Sequence, residues 1–195
     1  MKIKIIAIVM IGLFFSCKHK KNDSIVSEYP TEDTTNAAPS FFPVTGFIEG
    51  QIAELKNSNK KITAYLSKAN KTDSMPLLPK IWDSVFADFH LPNIDSATLS
   101  KYFKETKFED QTLEAITLSY DAKETLPNDI LWKHWDIYIN PETNEVERIY
   151  MVKSLPNNTT LQLTWIPGNS CKKTFITEGD TTNKMMVSEA TYQWK

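Results

Sequence analysis

Few side chains in this chain have the type and spacing to do chemistry. There are two cysteines, Cys17 and Cys171, and three histidines; Arg148 is the sole arginine among 22 basic residues. His19 sits in a lysine run, so His90 and His134 are the imidazoles of the rest of the chain. A zinc site needs three or four convergent ligands, and neither HExxH nor CxxC occurs. The best fragment is His134-Trp135-Asp136. In a strand, alternate side chains share a face, so His134 and Asp136 would stand together, as an acid–base pair for hydrolysis or as polar contacts for a ligand. A partly solvated sheet face is the commoner origin of such a pair. Arg148 is expected to share a strand face with Val146, Tyr150 and Val152. Its guanidinium then either runs past apolar neighbours to a carboxylate or recognises an acidic group. No GxGxxG, P-loop or GxSxG is present, so neither a phosphate-cradling loop nor a nucleophile elbow is indicated. No cofactor or metal is expected.

Cys17 belongs to another chemistry. Lys2 and Lys4 precede the apolar stretch Ile5 to Phe15. A secretory signal has an apolar core of about 7 to 15 residues, whereas a bilayer-spanning helix needs roughly 20. Lys18, His19, Lys20 and Lys21 prevent extension. Phe14-Phe15-Ser16-Cys17 resembles the lipobox of bacterial lipoproteins, with Phe14 where leucine is usual. That resemblance implies cleavage between Ser16 and Cys17, diacylglycerol on the Cys17 thiol and an acylated new amine. Buried methylenes contribute about 0.8 kcal/mol each, so two or three chains anchor a protein where one binds only reversibly. Under the sorting rule of enteric lipoproteins, Lys18 in place of aspartate favours the outer membrane. The basic KHKK run differs from the acidic residues that accompany surface export in Bacteroidota-type bacteria, so the periplasmic leaflet is expected. There the run would meet anionic headgroups at about 1 kcal/mol per basic residue.

Three segments follow. Residues 1–16 read as a signal peptide, 17–40 as the lipidated N-terminus and a polar, proline-containing disordered tether, and 41–195 as a single α+β domain. Loss of residues 1–16 removes Lys2 and Lys4 and no acid, so the formal charge moves from −2 to −4. With no basic face, the electrostatic footprint of nucleic-acid binding is missing. Acylation would consume Cys17 and leave Cys171 without an intramolecular partner, so the fold must rest on its apolar core.

Val44, Phe47, Ile48, Ile52 and Leu55 recur at helical spacing and predict a helix over about Thr45 to Asn57. Gly46 and Gly50 inside it each cost about 1 kcal/mol relative to alanine, which points first to close approach of a neighbouring element and second to a ligand touching the bare backbone. Ile62 to Ser67 and Ser74 to Leu78 read as a short hairpin about the KANKTD turn. Pro79 then opens a helix with Ile81, Trp82, Val85, Phe86 and Phe89 on its buried face, ending at His90-Leu91-Pro92. Asp95 or Ser96 caps a further short helix to about Lys104. Beyond Gln111 the period becomes two. The runs are Ala115 to Tyr120, Leu131 to Ile139, Glu145 to Lys153, Thr159 to Trp165, Cys171 to Thr177 and Met185 to Trp194. The expected fold is two to three N-terminal helices with a short hairpin, packed on an antiparallel meander of about six strands. Trp135, Ile137 and Ile139 should share one face of their strand, with His134, Asp136 and Tyr138 on the other. Trp132, Trp135, Trp165 and Trp194 fit a core better than a sugar or lipid groove.

FFPVTGFIEGQI, KFEDQTLEAITLSYD, KHWDIYINPETNEVERIYMVK and TTLQLTW together resemble a group of uncharacterised lipoproteins of Bacteroidota-type Gram-negative bacteria. The resemblance spans nearly all of Phe41 to Trp165 and carries no established activity, so it assigns no catalytic residue. The expected role is a non-enzymatic binding or envelope-interaction module, attached to the membrane through its N-terminal lipid and meeting an unknown periplasmic ligand or envelope protein. Two alternatives stand beside it. One is a half-barrel carrier of lipid or lipoprotein, which needs an empty apolar sheet face. The other is a hydrolase using His134 and Asp136.

Overall fold

Alternation along the C-terminal two-thirds of the chain builds one large sheet, and the helical periodicity before it supplies the cover for one face. The computed structural model describes residues 41–69, 71–94, 99–179 and 185–195, all within the compact unit Ala37–Lys195. The signal, the lipobox residues Ser16 and Cys17, and the tether lie outside the described residues. In chain order the elements are α1 (Val44–Asn57), β1 (Ile62–Lys68), β2 (Lys71–Pro76), a 3₁₀ turn (Pro79–Ile81) leading into α2 (Trp82–His90), β3 (Phe103–Asp110), β4 (Ala115–Ala122), β5 (Trp132–Ile139), β6 (Val146–Leu155), β7 (Thr159–Ile166), β8 (Ser170–Glu178) and β9 (Met185–Trp194). The strands form one antiparallel sheet in the order β2-β1-β9-β8-β7-β6-β5-β4-β3.

The α+β class holds, and three details differ from expectation. The β1–β2 hairpin does not pack on the meander; it extends the sheet by pairing β1 with β9. That pairing satisfies the backbone groups that an exposed β9 edge would leave open. The meander has seven strands rather than six, because FKETKFED forms β3. Phe103 and Lys104 therefore belong to a strand and not to the end of a third helix; of the other residues predicted for that helix, 95–98 lie outside the described residues, Leu99 is helical and 100–102 form a turn. β3 is an edge strand with Phe103 buried and nearly every later side chain exposed, so it carries almost no apolar alternation to read.

The inner face is apolar from β4 across to β1. Tyr120, Trp135, Ile137, Ile149, Met151, Leu163 and Trp165 are fully buried on it. Helix α1 lays down Val44, Ile48, Ile52 and Leu55, and α2 contributes Trp82, Phe86 and Phe89. Phe86 and Phe89 meet Trp165 edge to face, with ring centroids 5.7 and 5.3 Å away. Ahead of α1, Phe41 packs edge-on against Tyr120 at 4.9 Å, and the Phe42 N–H donates to the Tyr120 hydroxyl at 3.0 Å. The indole N–H of Trp132 donates to the Pro92 carbonyl at 2.8 Å, and the Ile94 N–H to the Thr45 hydroxyl at 2.8 Å. These bonds tie the segment after α2 to both the sheet and α1. The tryptophans are core, as their composition suggested. Among the described residues, no helix is long and apolar enough to cross a membrane.

Gly46 and Gly50 do not mark a close approach. A methyl group at either would meet nothing within 4 Å, since both lie on the solvent side of α1. Their helical cost is therefore uncompensated. Gly50→Ala should raise stability by about 0.5–1 kcal/mol, read as a higher urea midpoint with an unchanged slope; a decrease would show that bare backbone is required there.

Candidate functional site

The outer face of β4–β6 carries the polar residues that the alternation placed there. Antiparallel register sets His134 opposite Asp121, and Asp136 opposite Ser119 and Tyr150. His134 Nδ1 lies 2.8 Å from Asp121 Oδ1, and its Nε2 lies 2.8 Å from Asp136 Oδ2. Ionised carboxylates only accept hydrogen bonds, so both contacts are satisfied at once only when both ring nitrogens carry protons. The hydrogen bond to Asp136 accordingly raises the His134 pKa above its usual value; burial opposes this, and Asp121 adds to it. Burial pushes the Asp136 carboxyl up, but hydrogen bonds from His134 and Ser119 and the imidazolium charge outweigh it and hold the group below its usual range. The Tyr138 hydroxyl also donates to Asp136 Oδ2, at 3.4 Å. Burial, followed by the Asp136 charge, keeps Tyr138 and Tyr150 protonated well into the alkaline range. His134 and Asp136 are thus brought together as the sequence implied. Asp121, Ser119 and Tyr150 complete the cluster from neighbouring strands, and only strand register could have named them.

The β5–β6 hairpin sets the place of Arg148. Asn140 Oδ1 accepts the N–H groups of Glu142 and Thr143 at 2.8 and 3.0 Å, and Asn144 takes the left-handed conformation at φ 59°. Past the turn, Ile139 pairs with Val146 but Tyr138 pairs with Arg148, so Glu147 is an extra residue, a β-bulge. The bulge turns Val146 onto the core, which corrects the expectation that it shares a face with Arg148; Tyr150 and Val152 do. The guanidinium carbon lies over the Tyr138 ring, 4.0 Å from its centroid. Arg148 forms no ion pair with a carboxylate among the described residues.

His90, at the end of α2, takes no part in this cluster. Its Nδ1 lies 3.3 Å from Glu49 Oε1 without hydrogen-bond alignment. Cys171 is unpaired and buried, and burial drives its thiol pKa far up, so it is inert. No group of His, Cys, Asp and Glu able to hold a metal ion occurs among the described residues.

A second ionisable cluster, unforeseen from sequence, lies on the inner face beneath α2. Lys153 and Lys173 are only 2% and 6% exposed. The Lys153 ammonium donates to the carbonyls of Asp88 and Leu91 at the end of α2 and sits over the Trp132 ring at 4.1 Å. Lys173 bonds the Asp88 carboxylate. A cation here meets the negative end of the helix dipole and its unpaired carbonyls. Burial still lowers the Lys153 pKa from 10.5 to about 8, against the opposing pull of Asp88. The signal existed in the sequence, as two lysines at positions whose strand neighbours, Met151 and Cys171, are apolar.

No protein-family model matches the chain, and no curated protein or solved structure matches it either.

The two clusters have opposite pH signatures. His134 has a folded pKa above its unfolded 6.5, so its contribution is complete below that value and is lost as pH rises through the folded pKa. His134→Ala should cost about 1–2 kcal/mol near pH 5.5, discounted for the exposure of Asp121, and markedly less near pH 9. An equal cost at both, by urea unfolding, would refute the imidazolium. Lys153 has a folded pKa near 8 against 10.5 unfolded, so the unfolded chain binds more protons between those values and stability rises with pH across them. Wild type should gain about 2–3 kcal/mol relative to Lys153→Met over that window; parallel pH profiles for the two proteins would remove the buried ammonium.

Proposed function

We propose that the protein is a lipoprotein of the Gram-negative envelope, held at the periplasmic leaflet of the outer membrane through acylated Cys17. Its α+β domain serves as a non-enzymatic binding module that uses the outer sheet face. Anchoring is supported by the apolar run ending in Ser16-Cys17 and by Lys18 after it.

One observation carries the non-enzymatic part: both nitrogens of His134 are occupied by carboxylates. A general base needs a free imidazole lone pair within reach of the proton it takes, and this ring offers none while the cluster is closed. Ser119, a hydroxyl on the adjacent strand, bonds Asp136. The pair therefore stiffens the outer face. A carrier would instead need an empty apolar inner face; α1 and α2 fill the middle of that face with Ile48, Phe86 and Phe89 at zero exposure, and the cleft left open at its β1–β9–β8 end, beside Leu66, Phe175 and Ala190, is ringed by Lys68, Lys71, Asp73 and Glu189.

Radiolabelled palmitate fed to a Gram-negative host expressing the full chain should label the wild type and not Cys17→Ala, and the labelled protein should stay with membranes through a high-salt wash. Absence of label, or release of wild type into an osmotic-shock fluid, would overturn the anchoring.

A further inference from the structure

At the turn end of the outer face, Leu113, Ala115, Tyr138, Glu147, Arg148 and Ile166 line a cleft of about 240 Å³. We propose that this cleft binds a small carboxylic acid bearing a short apolar group, with Arg148 recognising the carboxylate; the proposal rests on the binding-module reading and gives it a ligand class.

Four observations carry it. The guanidinium forms no ion pair among the described residues, although two carboxylates are close by in the chain and the sheet. Asp136 is taken by His134, Ser119 and Tyr138. Glu147, next to Arg148 in the bulge, is held instead by the side-chain amide of Asn140 at 2.8 Å. A planar fork with five donors, kept from both nearby carboxylates and reaching only the Tyr138 hydroxyl among the described residues, is suited to an incoming planar anion.

The guanidinium carbon, 4.0 Å from the centroid of the Tyr138 ring, holds the fork against that ring, so less side-chain freedom is left to lose on binding. The wall beside it is apolar, with Leu113 and Ile166 at 44% and 38% exposure, and offers contact to a short apolar group. Size sets the last limit. At roughly 30 Å³ per water, the cleft displaces about eight waters, below the 300–1,000 Å³ of sites for drug-sized ligands. A monovalent carboxylate also suits the surroundings better than phosphate, because Asp136 and Glu147 would repel a second negative charge.

The sole arginine makes the test direct, since the ¹⁵N-labelled full chain has a single arginine Nε–H resonance. N-acetyl-L-leucine should shift that resonance saturably, while the neutral N-acetyl-L-leucinamide and inorganic phosphate should bind at least about tenfold more weakly. Arg148→Lys keeps the charge and loses the fork, and should weaken acid binding by about tenfold, followed through the Ile166 amide. Ile166→Ala should weaken it as well, with the Arg148 signal still present as the reporter. Equal shifts with acid and amide, equal binding of phosphate, unchanged affinity in Arg148→Lys, or no saturating shift at millimolar acid would each overturn the proposal. Failure here with successful palmitate labelling removes the ligand class and leaves the anchored module. Failed labelling with a saturating shift does the reverse.

Discussion

Among the described residues, two short helices, of 14 and 9 residues, cover the inner face of nine strands. A sheet survives in water only where its apolar side is paired with another layer, so the position of α2 decides which strands may be apolar. Its two phenylalanines meet Trp165 near the middle of the sheet, and the buried aromatics extend from there to Trp194 on one side. Trp135 and Tyr120, stacked at 5.0 Å, do the same work on the other side under Phe41. Where this cover ends the sequence changes: β3 presents Glu105, Lys107 and Glu109 on the same face that is apolar in β4 and β5. Those charges also make the edge a poor template for further strands.

Holding α2 over the sheet falls to an arrangement that looks costly in isolation. A buried ammonium loses several kcal/mol of hydration unless its donors are satisfied. Lys153 recovers part of this because the end of α2 offers carbonyls that have no helical partner, and the dipole there has the sign a cation needs. Each side thus supplies what the other lacks. An apolar residue at 153 would relieve the charge burial and at the same time strand two carbonyls, so the two losses oppose one another. Lys173 reaches the same turn through the Asp88 side chain, from β8. The helix end is consequently fixed to two strands that are not neighbours, a constraint on its direction as well as its depth.

The parts legible in the sequence were those governed by local periodicity. α1, α2 and the strands from β4 onward follow from spacing, as do the turn at Asn140 to Asn144 and the facing of His134 and Asp136. What escaped depends on distant partners. β3 carries a charged pattern because nothing covers its inner side. The β1–β2 hairpin is in the sheet because β9, more than a hundred residues later, has a free edge. Asp121 joins His134 only through register between β4 and β5, and one extra residue would have moved it to the opposite face. The glycines of α1 were read as a packing device and are simply exposed, since helical spacing alone does not say which face a gap of four residues falls on. Lys153 and Lys173 break an apolar alternation, yet the helix end they meet is set by tertiary placement and not by local spacing.

The bulge at Glu147 explains why two cations on one sheet face have opposite fates. Without it, β5 and β6 would pair evenly to the turn, Val146 would share the outer face with Arg148, and Glu147 would turn inward between them. With it, Val146 is returned to the core and Glu147 comes round to the rim, where Asn140 captures its carboxylate. Further up the strand the ladder is regular from Tyr138 to His134, where a second bulge at Lys133 follows, and His134 stands between two aspartates at contact distance. One cation is therefore saturated by carboxylates on its own and the adjacent strand, and the other is left open beside the Glu147 bulge. Bulges re-aim side chains in this way where a surface must meet something other than itself. The stacking of Arg148 on Tyr138 is the consequence of that opening, because an aromatic face can orient a guanidinium without neutralising it.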